Sequence, residues 1–316
     1  MSSEQERIER LAALFGAHGA RGVRLGVGDD AAVLEPERAR LVWTVDAAVE
    51  NVHFRRAHLR LDEVGYRSMM AAASDLAAMG AVPLAALSAL VLPPSFSDAE
   101  LDALAAGQKI AASELGMSVV GGNLSRGSEL SITTTVLGEV ERPLTRDGAR
   151  AGDVAALAGP VGLANAGFLL LERAVDVVQP DALEAFRRPR ARIPEGLKAA
   201  ERAHAAIDVS DGLALDAYRM ATASGIGVVI DESALFAHVG PSLSEAARAL
   251  GEDPLDLALE GGEDYALLIA CRADELPDGF TIVGSFIEER GLFVRDRNGK
   301  LRERKVAGYD HFGRGT

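Results

Sequence analysis

Carboxylates recur along this chain in short segments rich in glycine and serine. The segments are Gly28-Asp29-Asp30, Thr44-Val45-Asp46, Ser74-Asp75-Leu76, Asp208-Val209-Ser210-Asp211-Gly212 and Gly261-Gly262-Glu263-Asp264, with Asp216 five residues beyond Asp211. Acidic groups placed where a strand gives way to a turn or helix add little to a core. They suit divalent cations, which take hard oxygen ligands. Each segment also has a plainer reading: an acidic turn for Asp29-Asp30, a helix cap for Ser210-Asp211, a β-turn for Gly261–Asp264. The recurrence of the pattern in both halves of the chain carries the inference. It points to a site assembled across a cleft, whose business is a metal-bound phosphate.

Other phosphate chemistries are disfavoured by the residues themselves. Gly26-Val27-Gly28-Asp29-Asp30-Ala31 matches the dinucleotide fingerprint only superficially, because two aspartates would face the pyrophosphate and Pro36 forbids the long helix that should follow. No G-x-x-x-x-G-K-[ST] occurs, so the P-loop class is excluded. Cys271 is the only cysteine, which removes internal disulfides and Cys-based metal sites, and its apolar run Tyr265–Cys271 reads as a buried strand. His53 stands in an apolar stretch, where a structural histidine is the commoner case. The net charge of −14 would repel nucleic acid and anionic membrane, and ATP too unless it arrives with Mg²⁺. The charged N-terminus reads as a helix, not a signal peptide, and the longest apolar stretch, Val82–Leu92, is too short to span a bilayer. A cytoplasmic protein is expected.

The elements that must position these groups follow from patterning. A chain of 316 residues, 48% hydrophobic, allows two domains with a sizeable core. Scarce aromatics and abundant alanine suggest helices packed on sheets. Residues 4–15 predict an amphipathic helix, and Leu41–Val45 a strand that delivers Asp46 at its C-terminal end. A helix is expected over Leu61–Met79, holding Asp75 among small residues. Then come a strand at Leu84–Leu92, a helix at Ser97–Leu115 with a Ser97/Glu100 capping box, a short strand at Met117–Val120 running into Gly121-Gly122-Asn123, and a strand at Ser131–Val140. The polar, turn-rich stretch 141–153 marks a boundary between domains 1–142 and 143–316. Beyond it we expect strands at Val154–Ala158, Ala205–Val209, Val228–Asp231, Tyr265–Cys271 and Thr281–Ser285, and a hairpin at Leu292–Arg304. Helices are expected at Ala164–Ala174, Asp211–Ser224, with Ser210 and Asp211 as its cap, and Ser242–Leu250. The Pro- and Arg-rich stretch from Val178 to Glu195 reads as helix broken by loops.

At these residues the chain resembles the thiamine-monophosphate kinase family, within the wider aminoimidazole-ribonucleotide synthetase superfamily. The matching segments are Gly28-Asp-Asp-Ala-Ala-Val33, Ser74-Asp-Leu-Ala-Ala-Met-Gly-Ala81, Asp208-Val-Ser-Asp-Gly-Leu213, Gly261-Gly-Glu-Asp-Tyr265 and Gly308-Tyr-Asp-His-Phe312. The resemblance implies an α/β (α+β) protein with a two-domain PurM-like fold, whose N-terminal mixed sheet forms a barrel with that of a second copy in a homodimer. It also implies ATP-dependent phosphorylation of thiamine phosphate to thiamine diphosphate, with several Mg²⁺ ions. Carried over position by position, Asp30, Asp46, Asp75, Asp208 and Asp211 become Mg²⁺ ligands, with Thr44 and Asn123 beside them. Gly122, Asn123, Arg146 and Ser210 become nucleotide contacts, and His53, Glu263 and Tyr309 substrate contacts. The acceptor is a phosphate oxygen that is largely deprotonated at neutral pH, so no general base is assigned. The chain departs from the family at Val45, where a threonine is usual, at Asn123, where an aspartate is usual, and at Gly162-Leu163-Ala164, where Gly-Asp-Ser is usual. A sibling ATP-using synthetase and a non-catalytic nucleotide or thiamine-phosphate sensor stay open as alternatives.

Overall fold

A computed structural model describes residues 4–15, 21–25, 33–176 and 179–306. Asp30 and Tyr309 lie outside the described residues. The chain divides into two compact units, Met1–Leu76 with Ala81–Glu141, and Ala77–Gly80 with Arg142–Thr316.

The first unit contains α1 (Glu4–Phe15), a hairpin of β1 (Val23–Leu25) and β2 (Val33–Leu34), β3 (Arg40–Val49), α2 (Leu61–Ala78), β4 (Val82–Leu92), α3 (Asp98–Glu114), β5 (Ser118–Arg126) and β6 (Ser131–Val140). Its main sheet has the order β3-β6-β4-β5 and is mixed: β4 and β5 run parallel, the other neighbours antiparallel. The Ser97/Glu100 capping box forms at the start of α3 as expected. Helices α2 and α3 cross almost backbone to backbone, because a Cβ on Gly65 would stand 2.0 Å from the Leu104 carbonyl and one on Gly107 1.9 Å from that of Asp62. Both helices are tied to one face of the sheet, α2 through Asp75 to Thr44 and α3 through Gln108 to Ser88.

Two expectations are corrected here. The strand bearing Asp46 does not end there. It runs on to Val49, because β6 offers an unbroken ladder from Arg40↔Val140 to Val49↔Ser131, so Asp46 sits mid-strand opposite Thr134. Gly121-Gly122-Asn123 likewise lies within β5 and not after it. A Cβ on Gly122 would come 1.8 Å from the Ser88 carbonyl, so glycine permits the β4–β5 approach at an irregularity in their register.

The second unit contains β7 (Val154–Ala158), α4 (Leu163–Glu172), α5 (Pro180–Arg187), α6 (Ile193–Ala199), β8 (Ala205–Val209), α7 (Leu213–Ala223), β9 (Gly227–Asp231), α8 (Glu232–Val239), α9 (Pro241–Leu250), α10 (Pro254–Glu260), β10 (Ala266–Cys271), β11 (Thr281–Ile287), β12 (Gly291–Arg295) and β13 (Leu301–Glu303). The sheet order is β13-β12-β9-β11-β7-β10-β8, antiparallel throughout except for the β12–β9 pair. Its central strands are buried on both faces. Ala155, Leu157, Ile207, Val209 and Leu268 pack with residues of α4, α7 and α9, while Ala156, Ala206, Leu267, Ile269 and Cys271 face Leu144, Ala199 and Phe280. Cys271 is fully buried, and burial pushes its thiol up to about 11, so it is a core residue. Helices α8 and α10 were not expected from the sequence. They have 8 and 7 residues, too few for the apolar period to stand out, although Asp231 and Asp253 cap them.

Candidate active site

In the first unit the central feature is a pair. Thr44 Oγ1 on β3 donates to Asp75 Oδ2 on α2 at 2.5 Å. The pleat sends Thr44 and Asp46 to the same face, since residues two apart share a side. Asp46 is exposed, and its Oδ1 accepts from the Ala47 amide at 2.8 Å. Two buried hydroxyls adjoin these groups in sequence or register: Ser74, which precedes Asp75, and Thr134, which is opposite Asp46. Neither Oγ has a hydrogen-bond partner among the described residues. Hard oxygens with two orphaned hydroxyls suit a hydrated cation such as Mg²⁺. Among the described residues, however, no three His, Cys, Asp or Glu side chains converge into a metal cluster.

Alternation also settles the effect of Val45. It is 60% exposed on the face opposite Thr44 and Asp46, so a threonine there would not have pointed toward Asp75. Asn123 is exposed and donates to Ser125 Oγ at 2.9 Å. By register it stands opposite Ala89, on the face away from the Ser88–Thr134–Asp46 row, so the structure does not bring it to the Thr44–Asp75 pair. His53 is half-buried in the tight turn after β3. Its Nδ1 accepts from the Val49 amide at 3.1 Å, which leaves Nε2 as the protonated nitrogen of the neutral ring.

In the second unit antiparallel pairing assembles the site. The end of β8 lies beside the start of β10 (Val209↔Ala266), and the start of β10 beside the end of β7 (Leu267↔Ala158). The loops carrying Ser210, Asp211, Glu263 and Asp264 therefore leave one sheet edge. They are bound to each other: the Glu263 amide donates to the Ser210 carbonyl at 2.8 Å and the Tyr265 amide to the Val209 carbonyl at 2.9 Å. Glu263 and Tyr265 take positive φ of 64° and 50°, strained for residues with side chains and held by those two bonds. The glycines serve internal closeness, not an outside ligand. A Cβ on Gly262 would stand 2.8 Å from the Ser210 carbonyl and one on Gly261 2.5 Å from that of Leu257. Asp208 is buried at the end of β8.

The expected cap of the following helix is also corrected. Neither Ser210 nor Asp211 caps α7. Gly212 occupies the cap position without a side-chain bond, its φ of 114° directing the chain away from helix geometry. The capping carboxylate comes from inside the helix: buried Asp216 accepts from the Ser210 and Asp211 amides at 3.1 and 3.0 Å. Burial pushes this carboxyl up, opposed by the amide and by Arg219, whose Nη1 bridges Asp211 at 2.5 Å and Asp216 at 2.8 Å. Asp264, the neighbour of Glu263, is buried and receives the Gly162 and Ala164 amides at 2.6 and 3.0 Å, which caps α4. Burial pushes its carboxyl up to about 7.

Arg146 stands apart from this group. It is exposed, and its neighbour Thr145 accepts from the Ala206 amide near the start of β8, the opposite end of that strand from Ser210. The sequence marked Asp216 and Asp264 among the recurring carboxylates without giving either a role, and did not mark Arg219. The position of Asp216 in the first turn of a helix after an acidic loop was the available signal.

Comparison with known proteins gives the same frame. Residues 28–140 match the family described as AIR synthase related protein, N-terminal domain, and residues 150–297 match its C-terminal domain. A curated thiamine-monophosphate kinase from Aquifex aeolicus is 34% identical over 90% of this chain and 92% of its own length. One from Mycobacterium tuberculosis is 35% identical over 84% of this chain and 80% of its own. A solved structure described as AaThiL complexed with AMPPCP and TMP superposes with a TM-score of 0.81 at 31% identity, covering 98% of this chain and 97% of that one. Its PurM-like two-domain fold is the fold of this chain. The chain belongs to the AIR synthase related family, in its thiamine-monophosphate kinase branch.

Proposed function

We propose that this protein transfers a phosphoryl group from ATP to the phosphate of thiamine phosphate, giving thiamine diphosphate. One observation carries the reading: Asp208, Ser210, Asp211 and Glu263 meet at one sheet edge in a chain that is a third identical to thiamine-monophosphate kinases. A relative of 31% identity has been solved with AMPPCP and TMP, an ATP analogue and a substrate, which supports the same pairing of ligands.

The chemistry follows from the groups present. Phosphoryl transfer relies on positioning and charge neutralisation rather than on covalent help. The acceptor oxygen belongs to a phosphate whose second pKa is about 6, so it arrives deprotonated and no residue has to remove a proton. Thr44, Asp46 and Asp75 of the first unit, Asp208 and Asp211 of the second, and Asp30 would hold Mg²⁺, which when bound neutralises the charge of donor and acceptor. Gly122 and Ser210 serve the nucleotide, and His53, Glu263 and Tyr309 the thiamine phosphate. Asp216 and Arg219 hold the Asp208–Asp211 loop in shape. Residues 1–142 act as the nucleotide, metal and dimerisation domain, and residues 143–316 as the α/β domain that carries Asp208, Ser210, Asp211 and Glu263.

A homodimer belongs to this reading. Leu41, Trp43 and Val45 are 55, 72 and 60% exposed on one face of β3, and Leu87 stands on the same face of the sheet at 40%. A row of large, exposed apolar side chains on one sheet face fits a second copy of the same sheet. No helix among the described residues is long and apolar enough to cross a membrane; a cytoplasmic location, where ATP is supplied, belongs to the same proposal. The deciding assay supplies ATP, Mg²⁺ and thiamine phosphate, with free thiamine as control. Thiamine diphosphate formed only from thiamine phosphate is the expected result. Tight Mg·ATP binding without product would overturn it in favour of a sensor.

A further inference from the structure

The segment Arg187-Arg188-Pro189-Arg190-Ala191-Arg192 joins α5 to α6 and carries four arginines and no carboxylate, in a chain whose net charge is −14. In an acidic protein such a concentration would ordinarily be neutralised by neighbouring carboxylates. Only part of it is: Arg188 is engaged, whereas the side chains of Arg187, Arg190 and Arg192 make no hydrogen bond or ion pair among the described residues, and the Nε atoms of Arg187 and Arg192 are buried without a partner. A buried donor without an acceptor is costly and demands an explanation.

The position of Arg192 supplies one. Its guanidinium lies flat against Gly159, where an added Cβ would stand 2.5 Å from Nε and 2.8 Å from Cζ and Nη2. Gly159 follows directly on the end of β7, which the sheet register sets beside the start of β10, itself beside the end of β8. The guanidinium is therefore at the same edge as Ser210, Asp211 and Glu263. Burial lowers its pKa and the nearby charge of Arg190 adds to this, while Glu195 and Asp264 oppose it. Asp264 acts on it only through its charge, since no hydrogen bond or ion pair joins the two among the described residues. Arg190 is exposed. A planar fork held on a glycine matches the oxygens of a carboxylate or a phosphate, and the second cation beside it favours the doubly charged phosphate.

We propose that Arg192, seconded by Arg190, is a phosphate-recognising site at this sheet edge. The inference rests on the phosphotransferase reading for its ligand, and the shared chemistry is a phosphate dianion supplied either by thiamine phosphate or by the terminal phosphates of ATP. Calorimetric titration of the full chain and of R192Q, R192K and R190Q with thiamine phosphate, thiamine, Mg·ATP and inorganic pyrophosphate tests it. Loss of about tenfold in affinity for one phosphate ligand in R192Q, only partial recovery in R192K, and unchanged affinity for free thiamine are expected. Exposed Arg190 does not contribute to the core, so R190Q should keep the parent Tm and still bind that ligand several-fold more weakly. A loss confined to thiamine phosphate assigns the acceptor, and one confined to Mg·ATP the donor. Unchanged affinity for all phosphate ligands in folded R192Q and R190Q would overturn the site. Should the parent protein bind neither thiamine phosphate nor Mg·ATP, the functional reading fails, and pyrophosphate still decides the arginine site by the same comparison.

Discussion

Asp264 should make the stability of this protein depend on pH in a direction opposite to that of an ordinary surface aspartate. Its carboxyl is buried and pushed from 3.8 up to about 7. Between those values the folded chain keeps a proton that the unfolded chain has released, so stability falls as pH rises through that window and levels off above it. At about 1.4 kcal/mol per pH unit, the whole window is worth at most about 4 kcal/mol. The positive end of α4, which this carboxyl caps, favours the ionised form and reduces that figure. In Asp264→Asn the titration disappears. The amide offers one acceptor where two backbone amides at 2.6 and 3.0 Å need one each, a pH-independent loss of about 1–3 kcal/mol. Urea unfolding of both proteins at pH 5, 6, 7 and 8 should show the variant clearly less stable at pH 5. The gap should close by up to about 3 kcal/mol toward pH 8. A gap that stays constant would mean that Asp264 is ionised throughout, and the burial argument would be wrong.

Asp75→Asn keeps an acceptor for Thr44 but loses its charge, so turnover should fall more than about a hundredfold while urea stability moves by less than about 1 kcal/mol. Near-normal turnover at low Mg²⁺ would remove Asp75 from the metal set. Gly122→Ala forces a methyl to within 1.8 Å of the Ser88 carbonyl and should cost about 2 kcal/mol or more by thermal unfolding. An unchanged Tm would show that β4 and β5 separate freely. Ala174 sits at φ 50° just past the end of α4, where its amide and that of Val175 close the helix, so Ala174→Gly should stabilise by about 0.5–1 kcal/mol. Trp43→Glu should shift the protein to a monomer in light scattering, and a dimer that survives the charge would place the interface elsewhere.

Much of the frame was legible because long elements impose clear periods. The eighteen residues of α2 and the Thr/apolar alternation of β6 stood out, and the Ser97/Glu100 box announced α3. What stayed hidden was set by partners distant in sequence. The extension of β3 past Asp46 depends on β6, some 90 residues away in sequence, and no local signal marks it. Asp211 reads as a cap from its neighbours alone, yet buried Asp216 takes the amides, which only the packing of α7 reveals. The Val45 departure stands next to Asp46 in sequence and proved, once the pleat was known, to concern the other face of the strand.

That strand has a further consequence for how the family can change. One side of β3 carries Thr44, bonded to Asp75, and Asp46, while the other exposes Leu41, Trp43 and Val45. Substitutions on either side can drift independently, since they touch different surroundings. Insertion or deletion of a single residue cannot, because it would exchange the two sides at once and put tryptophan among the carboxylates. Between Arg40 and Val49, homologues should therefore vary in letters but never in length.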